Sequence, residues 1–290
     1  MWKRRESTDG DFGRRSGSAM RELFIVSCTR GRKEETDLYR SLRKLGTDSF
    51  LFIENNRKGL STCYNRILDE KAGRDEIVIF VHDDVTIGDV FFQEKITEAF
   101  GQRNYAIAGL AGTSDFKIQP DLGVITWFRS PPEAWSGAVE NHMPGSSTIM
   151  SAFGPTPKRC VALDGLFLAI DLKRIGHVRF DEQLAFHFYD LDFCLTAHQA
   201  GLVLGTVNVY VTHRSGGDFS SQAFKEAQTT FGAKWKDGHY RIDPPGPAQG
   251  ADKLIMHEAN VRPSQATPRR NEPCYCGSGR KYKHCHGRLG

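Results

Sequence analysis

The sequence has no apolar run of the roughly eighteen residues that a membrane-spanning helix needs. Residues 2–5 are Trp-Lys-Arg-Arg, and no apolar signal core follows them. The excess of one charge sign is also small. The formal net charge is only +4 in 290 residues, and much of the basic excess lies near the chain ends. These absences argue against a membrane-spanning protein, a secreted protein and a specific nucleic-acid-binding protein. We therefore expect a cytoplasmic protein.

Cysteines are few, and most of them stand alone. Four of the seven are scattered singly among apolar segments, which is typical of reduced core thiols: Cys28, Cys63, Cys160 and Cys194. The other three cluster near the carboxyl end. With 39% hydrophobic residues the chain can bury a full core, and its length predicts one large domain with a small appendage.

Apolar segments alternate with helix-like segments in the first part of the chain. Strands are predicted at 23–28, 50–54, 77–81 and 105–109, and helices at 34–45, 60–68 and 89–100. Such alternation is typical of βαβ units, whose right-handed crossovers build a mostly parallel sheet flanked by helices. The predicted fold class is therefore α/β.

Composition divides the chain into four parts. Residues 1–20, rich in Gly, Ser and Arg, predict a disordered tail, and residues 21–236 predict the main domain. Residues 237–272, rich in Pro, Gly, Gln and Ala, predict a linker to a small module at 273–288. Within the main domain, the Pro- and Gly-rich region after Gly112 predicts an irregular insert over the substrate.

Paired acids stand at the end of the third predicted strand. Asp83 and Asp84 follow the apolar run 77–81 and His82. Carboxylates at the end of a buried parallel strand are well placed to hold a divalent cation over a diphosphate. A solvated loop is the alternative interpretation of the same residues.

A second acidic pair, Asp190 and Asp192, lies among the bulky apolar residues of 186–194. Partial desolvation raises the pKa of a carboxylate, which suits a general base near neutrality. Helix capping is the alternative, since a carboxylate in a first turn accepts backbone N–H groups. His213 follows a strand-like segment, where an imidazole is either a metal ligand or a polar surface residue.

These segments together resemble the glycosyltransferases of the GT-A fold, and most closely the family-2-like bacterial group, over about residues 21–235. The resemblance implies an enzyme that transfers a sugar from a nucleotide-sugar donor to an acceptor hydroxyl with inversion, using Mn²⁺ or Mg²⁺. The family's Asp-any-Asp metal motif matches residues 82–84, with His82 in place of its first acid. The match implies that Asp84 is a metal ligand and that Asp83 contacts either the metal or the ribose. It also implies that His213 is a further metal ligand.

The same resemblance assigns the other site residues. The family's Glu-Asp pair matches Tyr189-Asp190 and makes Asp190 the catalytic base. The residues matched to donor or acceptor binding are Thr29, Arg30, Asn55, Asn56, Asn65, Asp164 and Asp192. For Thr29, Arg30 and Asp164 an ordinary turn is the alternative, and for Asn55, Asn56 and Asn65 an ordinary helix start.

The carboxyl-terminal segment 273–287 contains three thiols and two imidazoles, enough for a tetrahedral zinc site. It resembles the SEC-C motif nearly residue for residue, which implies the zinc ligands Cys274, Cys276, Cys285 and His286. His284 is a rival ligand. In that family the motif is an appendage that implies docking to a protein, such as the ribosome or the export machinery.

Two other functions remain open for the same residues. The acids could serve a nucleotidyltransferase or a phosphohydrolase, which would make a different product from a nucleotide sugar. A non-catalytic adaptor that binds a nucleotide or carbohydrate is the third hypothesis, because His82 replaces an expected acid. The sequence leaves the sugar, the nucleotide and the acceptor open.

Overall fold

The computed structural model describes residues 21–119, 123–142, 148–214, 219–236 and 238–242, together with Asn271 and Lys281. The chain divides into two compact units, Met1–Pro244 and Pro245–Gly290. The predicted tail and all four predicted zinc ligands, Cys274, Cys276, Cys285 and His286, lie outside the described residues. None of the described helices is both long and apolar enough to cross a lipid bilayer.

The first unit alternates strands and helices up to residue 109 and is rich in strands after it. In chain order its elements are β1 (Glu22–Cys28), α1 (Asp37–Lys44), β2 (Phe50–Ile53), α2 (Leu60–Glu70), β3 (Glu76–Val81), β4 (Val85–Ile87), α3 (Phe92–Arg103), β5 (Ile107–Gly109), β6 (Ala111–Thr113), β7 (Asp115–Lys117), β8 (Trp135–His142), β9 (Thr148–Gly154), β10 (Arg159–Cys160), β11 (Ala162–Leu163), β12 (Phe167–Asp171), α4 (Tyr189–Gln199), β13 (Leu204–Thr206), β14 (Val211–His213), α5 (Gln222–Lys234) and β15 (His239–Arg241).

Seven strands form the main sheet in the order β10-β13-β5-β12-β3-β1-β2. The α/β class with a mixed sheet and flanking helices is confirmed, but only three of the six pairings are parallel. β12 is antiparallel to both of its neighbours because its first residue, Phe167, pairs with Val81, the last residue of β3. The chain thus re-enters the sheet at the edge where β3 ends, without a crossover helix.

The core lies around the middle of this sheet. Every residue of β3 is buried, as expected for a strand covered on both faces. Tyr64 of α2 stacks on Phe80 with ring centroids 4.0 Å apart, and fixes the helix against the sheet. The burial of β3 places the polar residues that follow it, His82, Asp83 and Asp84, at one edge of the sheet.

The region after Gly112 is more regular than predicted. It contributes β8, β9 and β11 to a second sheet of order β11-β6-β8-β14-β4, in which β9 pairs with β8. A bulge at Gly137 bends β8, and a Cβ there would overlap the backbone of Leu110. The expected irregular insert therefore contains strands, and one of them, β8, also pairs with the distant β14.

Candidate active site

A cavity of about 1280 Å³ opens at the edge of the main sheet where β1 and β3 end. It is lined by eight of the residues predicted for the site: Thr29, Arg30, Asn56, Asp83, Asp84, Asp164, Asp190 and His213. His82 lies in the same lining. Segments that are far apart in the chain thus share one cavity of the first unit.

Three side chains of this lining form a group with metal-ligand geometry. One ligand atom from each of His82, Asp84 and His213 lies within 4.8 Å of the other two. The antiparallel pairing of β14 with β4 sets His213 opposite Val85, which brings its imidazole beside Asp84. Nε2 of His213 lies 3.3 Å from Oδ1 of Asp84.

The charges of this group reinforce each other. Burial opposes charge on Asp84, but the imidazoles of His213 and His82 together with a backbone hydrogen bond outweigh burial and lower the pKa of Asp84. Burial likewise opposes charge on His213, and the carboxylate of Asp84 raises the pKa of His213 above its usual value. For His82 burial dominates and lowers the pKa. The fold thus holds the carboxylate of Asp84 in its charged form beside two buried imidazoles.

The group fits a divalent cation. Nε2 of His213 is buried and, among the described residues, makes no well-directed hydrogen bond despite its approach to Asp84. A buried polar atom without a partner is costly, and a bound cation would satisfy it. Two imidazoles and one carboxylate suit a first-row metal such as Mn²⁺ better than Mg²⁺, which prefers oxygen ligands.

The structure places Asp83 beside the metal-ligand group and His82 within it. Asp83 lines the cavity but does not belong to the group of three, whereas His82 does. In the comparison with the family motif, His82 was interpreted as the replacement of an expected acid, although an imidazole is itself a common metal ligand. The signal was present in the sequence as a histidine two residues before Asp84.

Asp190 lies in the first turn of α4 and lines the same cavity as the metal group. Its Oδ2 accepts a hydrogen bond of 2.7 Å from the backbone N–H of Gly165. Burial and the nearby charge of Asp164 raise the pKa of Asp190 to about 7. A carboxylate with this pKa can take up and release a proton near neutral pH. Helix capping, the alternative interpretation of the sequence, does not require such a pKa.

The start of α4 is held in an unusual backbone conformation. Phe188, the residue before the helix, has φ 61°, in the left-handed region that bulky residues seldom adopt. Its ring packs against Phe231 and Phe224 of α5, at centroid distances of 5.1 and 5.0 Å. This packing stabilises the strained turn that aims Asp190 into the cavity.

A chain of hydrogen bonds connects His82 to Asp190 through Tyr189 and Gly165. The hydroxyl of Tyr189 donates to the carbonyl oxygen of Gly165 at 2.8 Å and lies 2.9 Å from Nε2 of His82. Asp164 accepts hydrogen bonds from the backbone N–H of Leu166 at 3.1 Å and from Nε1 of Trp127 at 3.4 Å. Both acids near Gly165 are thus held by directed bonds.

Three predicted binding residues lie outside the cavity lining: Asn55, Asn65 and Asp192. Asn65 bonds the backbone N–H and C=O of Phe180, and Asn55 occupies a left-handed turn. Oδ1 of Asp192 accepts from Trp235 and pairs with Lys234. Two residues along a helix are about 200° apart, so Asp192 points away from the cavity that Asp190 faces.

Sequence reasoning missed the aromatic wall of the cavity. Trp127, Phe128 and Phe153 lie together there, with ring centroids 3.9 to 5.5 Å apart, and Phe128 keeps 39% of its surface exposed. Trp127 and Phe128 are adjacent in the sequence, and the pairing of β9 with β8 brings the distant Phe153 to them. The only sequence signal was the density of aromatic residues in the Pro- and Gly-rich region.

Curated relatives match only a short part of the chain. The protein translocase subunit SecA of Pseudomonas putida is 45% identical over 49 residues, which are 15% of this chain and 5% of SecA. The SecA of Dechloromonas aromatica is 50% identical over 46 residues, 15% of this chain and 4% of SecA. The chain thus spans about a twentieth of the length of these relatives. A SEC-C motif matches residues 270–288.

Two solved glycosyltransferase structures resemble the fold at low similarity. GalNAc-T7 with UDP, GalNAc and Mn²⁺ is 14% identical, with 76% of this chain and 49% of that chain covered and a TM-score of 0.46. S. aureus TarS 1-349 is 10% identical, with 73% and 65% covered and a TM-score of 0.45. The family comparison is much broader, because residues 47–234 match the glycosyltransferase-like family. With well over half of its length matched, the chain belongs to this glycosyltransferase-like family.

Proposed function

We propose that the protein is a metal-dependent, inverting glycosyltransferase that uses a nucleotide-sugar donor. The observation that carries this proposal is that one cavity holds both the group His82, Asp84 and His213 and the acid Asp190. Family membership supports glycosyl transfer as the class of reaction. A cavity lined by both a cation-binding group and a base can activate an acceptor and stabilise a leaving diphosphate together.

Different residues of the cavity have different proposed roles. His82, Asp84 and His213 would hold the cation, which when bound offsets the charge on the departing nucleoside diphosphate. Thr29, Arg30 and Asn56 lie near the ends of β1 and β2, where we place the donor nucleotide.

Asp190 takes the proton from the acceptor hydroxyl as that oxygen attacks the anomeric carbon. Its pKa of about 7 matches the working pH, so the carboxylate is available as a base and can hold the proton afterwards. The hydrogen bond from Gly165 keeps one carboxylate oxygen oriented. Attack from the face opposite the leaving group inverts the configuration of the sugar.

The test uses the purified full chain with a panel of nucleotide sugars. With Mn²⁺ we expect release of the nucleoside diphosphate, faster than with Mg²⁺ because two of the three ligand atoms are imidazole nitrogens. Chelation of the metal should stop the release. Product analysis separates the alternatives, since a phosphohydrolase acting on the same donor would release a nucleoside monophosphate. Absence of any product, with the donor still bound, would contradict glycosyl transfer and favour an adaptor.

We also propose that the SEC-C segment holds one zinc ion through Cys274, Cys276, Cys285 and His286, and docks to a protein partner. The match to the SEC-C motif supports this assignment. Metal analysis should find about one tightly bound zinc per chain. Changing Cys274 and Cys276 to Ser should remove it, whereas Cys160→Ser in the first unit should not. Unchanged zinc in the double variant would contradict the ligand set.

The four described cysteines support a reducing compartment for the proposed enzyme. Cys28, Cys63, Cys160 and Cys194 are buried free thiols. Proteins of oxidising compartments usually pair such residues in disulfides. We therefore place the enzyme in the cytoplasm.

A further inference from the structure

The hydroxyl of Tyr189 has two polar neighbours and only one proton. One neighbour is the carbonyl oxygen of Gly165 at 2.8 Å, and the other is Nε2 of His82 at 2.9 Å. A carbonyl oxygen only accepts, so the tyrosine proton goes to Gly165. The bond to His82 then requires that Nε2 of His82 carries a proton and donates it to the tyrosine oxygen. A neutral imidazole has one N–H, which leaves Nδ1 of His82 with a free lone pair.

Tyr189 is held firmly enough to impose this arrangement. It is 2% exposed, and its ring packs against those of Phe180 and Tyr64 at centroid distances of 5.9 and 6.1 Å. A buried tyrosine with this packing has no room to turn its hydroxyl elsewhere. The direction of both hydrogen bonds is therefore built into the fold.

Gly165 ties the same tyrosine to the catalytic acid. Its carbonyl accepts from Tyr189 and its N–H donates to Asp190, so one residue orients two consecutive side chains of α4. A Cβ on Gly165 would overlap the hydroxyl of Tyr189 and lie 2.8 Å from Cβ of Asp190. Only glycine allows the two bonds to form together.

We propose that Tyr189 is a positioning residue that locks His82 in the Nε2–H tautomer and thereby presents Nδ1 as the third ligand atom beside Asp84 and His213. The inference rests on the proposed metal dependence, but it concerns the binding of the cation and not the transfer step. Metal-binding histidines usually donate their second ring N–H to an oxygen acceptor, and loss of that acceptor typically weakens metal binding 10- to 100-fold. A tyrosine oxygen fills this role here.

The test measures Mn²⁺ affinity, with the metal alone as the probe, in a double-mutant cycle. Tyr189→Phe should weaken Mn²⁺ binding about 10- to 100-fold in the natural background. In the His82→Asp background the same change should have almost no effect, because a carboxylate has no tautomer to fix. Equal losses in both backgrounds would show a merely structural role and would overturn the proposal.

Tyr64→Phe is the matched control. Tyr64 is also buried, lies beside Tyr189, and has a hydroxyl without a hydrogen-bond partner among the described residues. Its removal should leave Mn²⁺ affinity unchanged. A loss as large as that of Tyr189→Phe would point to packing and would contradict the tautomer lock.

The ring nitrogens of His82 give a readout that needs neither metal nor activity. Nitrogen NMR of the metal-free protein should show a single Nε2–H tautomer for His82, and Tyr189→Phe should let a measurable share of the Nδ1–H tautomer appear. A proton on Nδ1 in the natural protein would overturn the proposal, even if Tyr189→Phe did not fold. Failure of sugar transfer with the tautomer and the affinity cycle intact would contradict the proposed function alone.

Discussion

Replacement of Asp190 by Asn is expected to lower kcat by roughly 10²- to 10⁴-fold, the range that a positioned general base contributes. The amide cannot take the acceptor proton, but its oxygen can still accept the hydrogen bond from Gly165. The cavity should therefore keep its shape, and donor affinity should change little. Steady-state kinetics and calorimetric donor binding in Mn²⁺ separate the two quantities.

Asp192→Asn is the matched control for this change. It makes the same substitution two residues further along α4, at a carboxylate that bonds Trp235 and Lys234 outside the cavity lining. We expect near-normal kcat, because the side chain lies outside the cavity lining and the amide oxygen can still accept the hydrogen bond from Trp235. Normal turnover in Asp190→Asn would remove Asp190 from the mechanism. A large loss of kcat in Asp192→Asn would instead restore its sequence-based assignment to the site.

The pH dependence of Asp190 links its activity to a stability cost. The pKa of about 7 in the folded protein lies above the value near 3.9 of an unfolded chain. Between these values the folded state holds a proton that the unfolded state has lost, so the contribution of this group to stability falls as pH rises from about 4 to about 7. Over the upper part of the same range kcat/KM should rise, because the base becomes deprotonated.

Asn at position 190 removes this titration. We therefore expect Asp190→Asn to melt several degrees higher than the natural protein at pH 8, with the difference vanishing towards pH 4. Thermal unfolding across this pH range measures it. A lower melting temperature at pH 8 would indicate that Asp190 is stabilised as a carboxylate in the fold, against the direction of its pKa.

Local patterns in the sequence were enough to predict much of the site. The all-apolar run of β3 requires burial on both faces, so the acids after it had to emerge at a strand end. The bulky neighbours of Asp190 likewise indicated a desolvated carboxylate. Both inferences depend only on residues within a few positions of each other, and over such short distances the sequence pattern predicts periodicity and burial.

The rest depended on contacts between distant segments. β8 pairs with β6, β9 and β14, and only the local hairpin partner could have been guessed from neighbouring residues. His82 and Tyr189 each replace an acidic residue of the glycosyltransferase pattern, and neither replacement has an evident purpose when it is considered alone. A hydrogen bond across 107 positions joins the two residues, which no local pattern could have indicated.

Asp84→Asn is expected to cost more Mn²⁺ affinity than the 10- to 100-fold that loss of a supporting group typically costs. Asp84 supplies the only carboxylate of the group of three, and its amide replacement carries no charge to attract a cation. The pKa of His213 should also fall, because burial lowers it and the carboxylate of Asp84 is what raises it. Titration calorimetry with Mn²⁺ and NMR of the His213 ring measure the two effects.

Asp83→Asn is the control that decides between the adjacent acids. Both substitutions remove one negative charge at neighbouring positions of the same cavity lining, so their effects on the general electrostatic potential are nearly equal. Any difference in Mn²⁺ affinity then reports direct coordination, since only Asp84 lies within reach of both imidazoles. We expect Asp83→Asn to bind Mn²⁺ almost as well as the natural protein. Equal losses in the two variants would mean that the acids attract the metal through charge alone, and the assignment of a three-ligand centre at His82, Asp84 and His213 would fail.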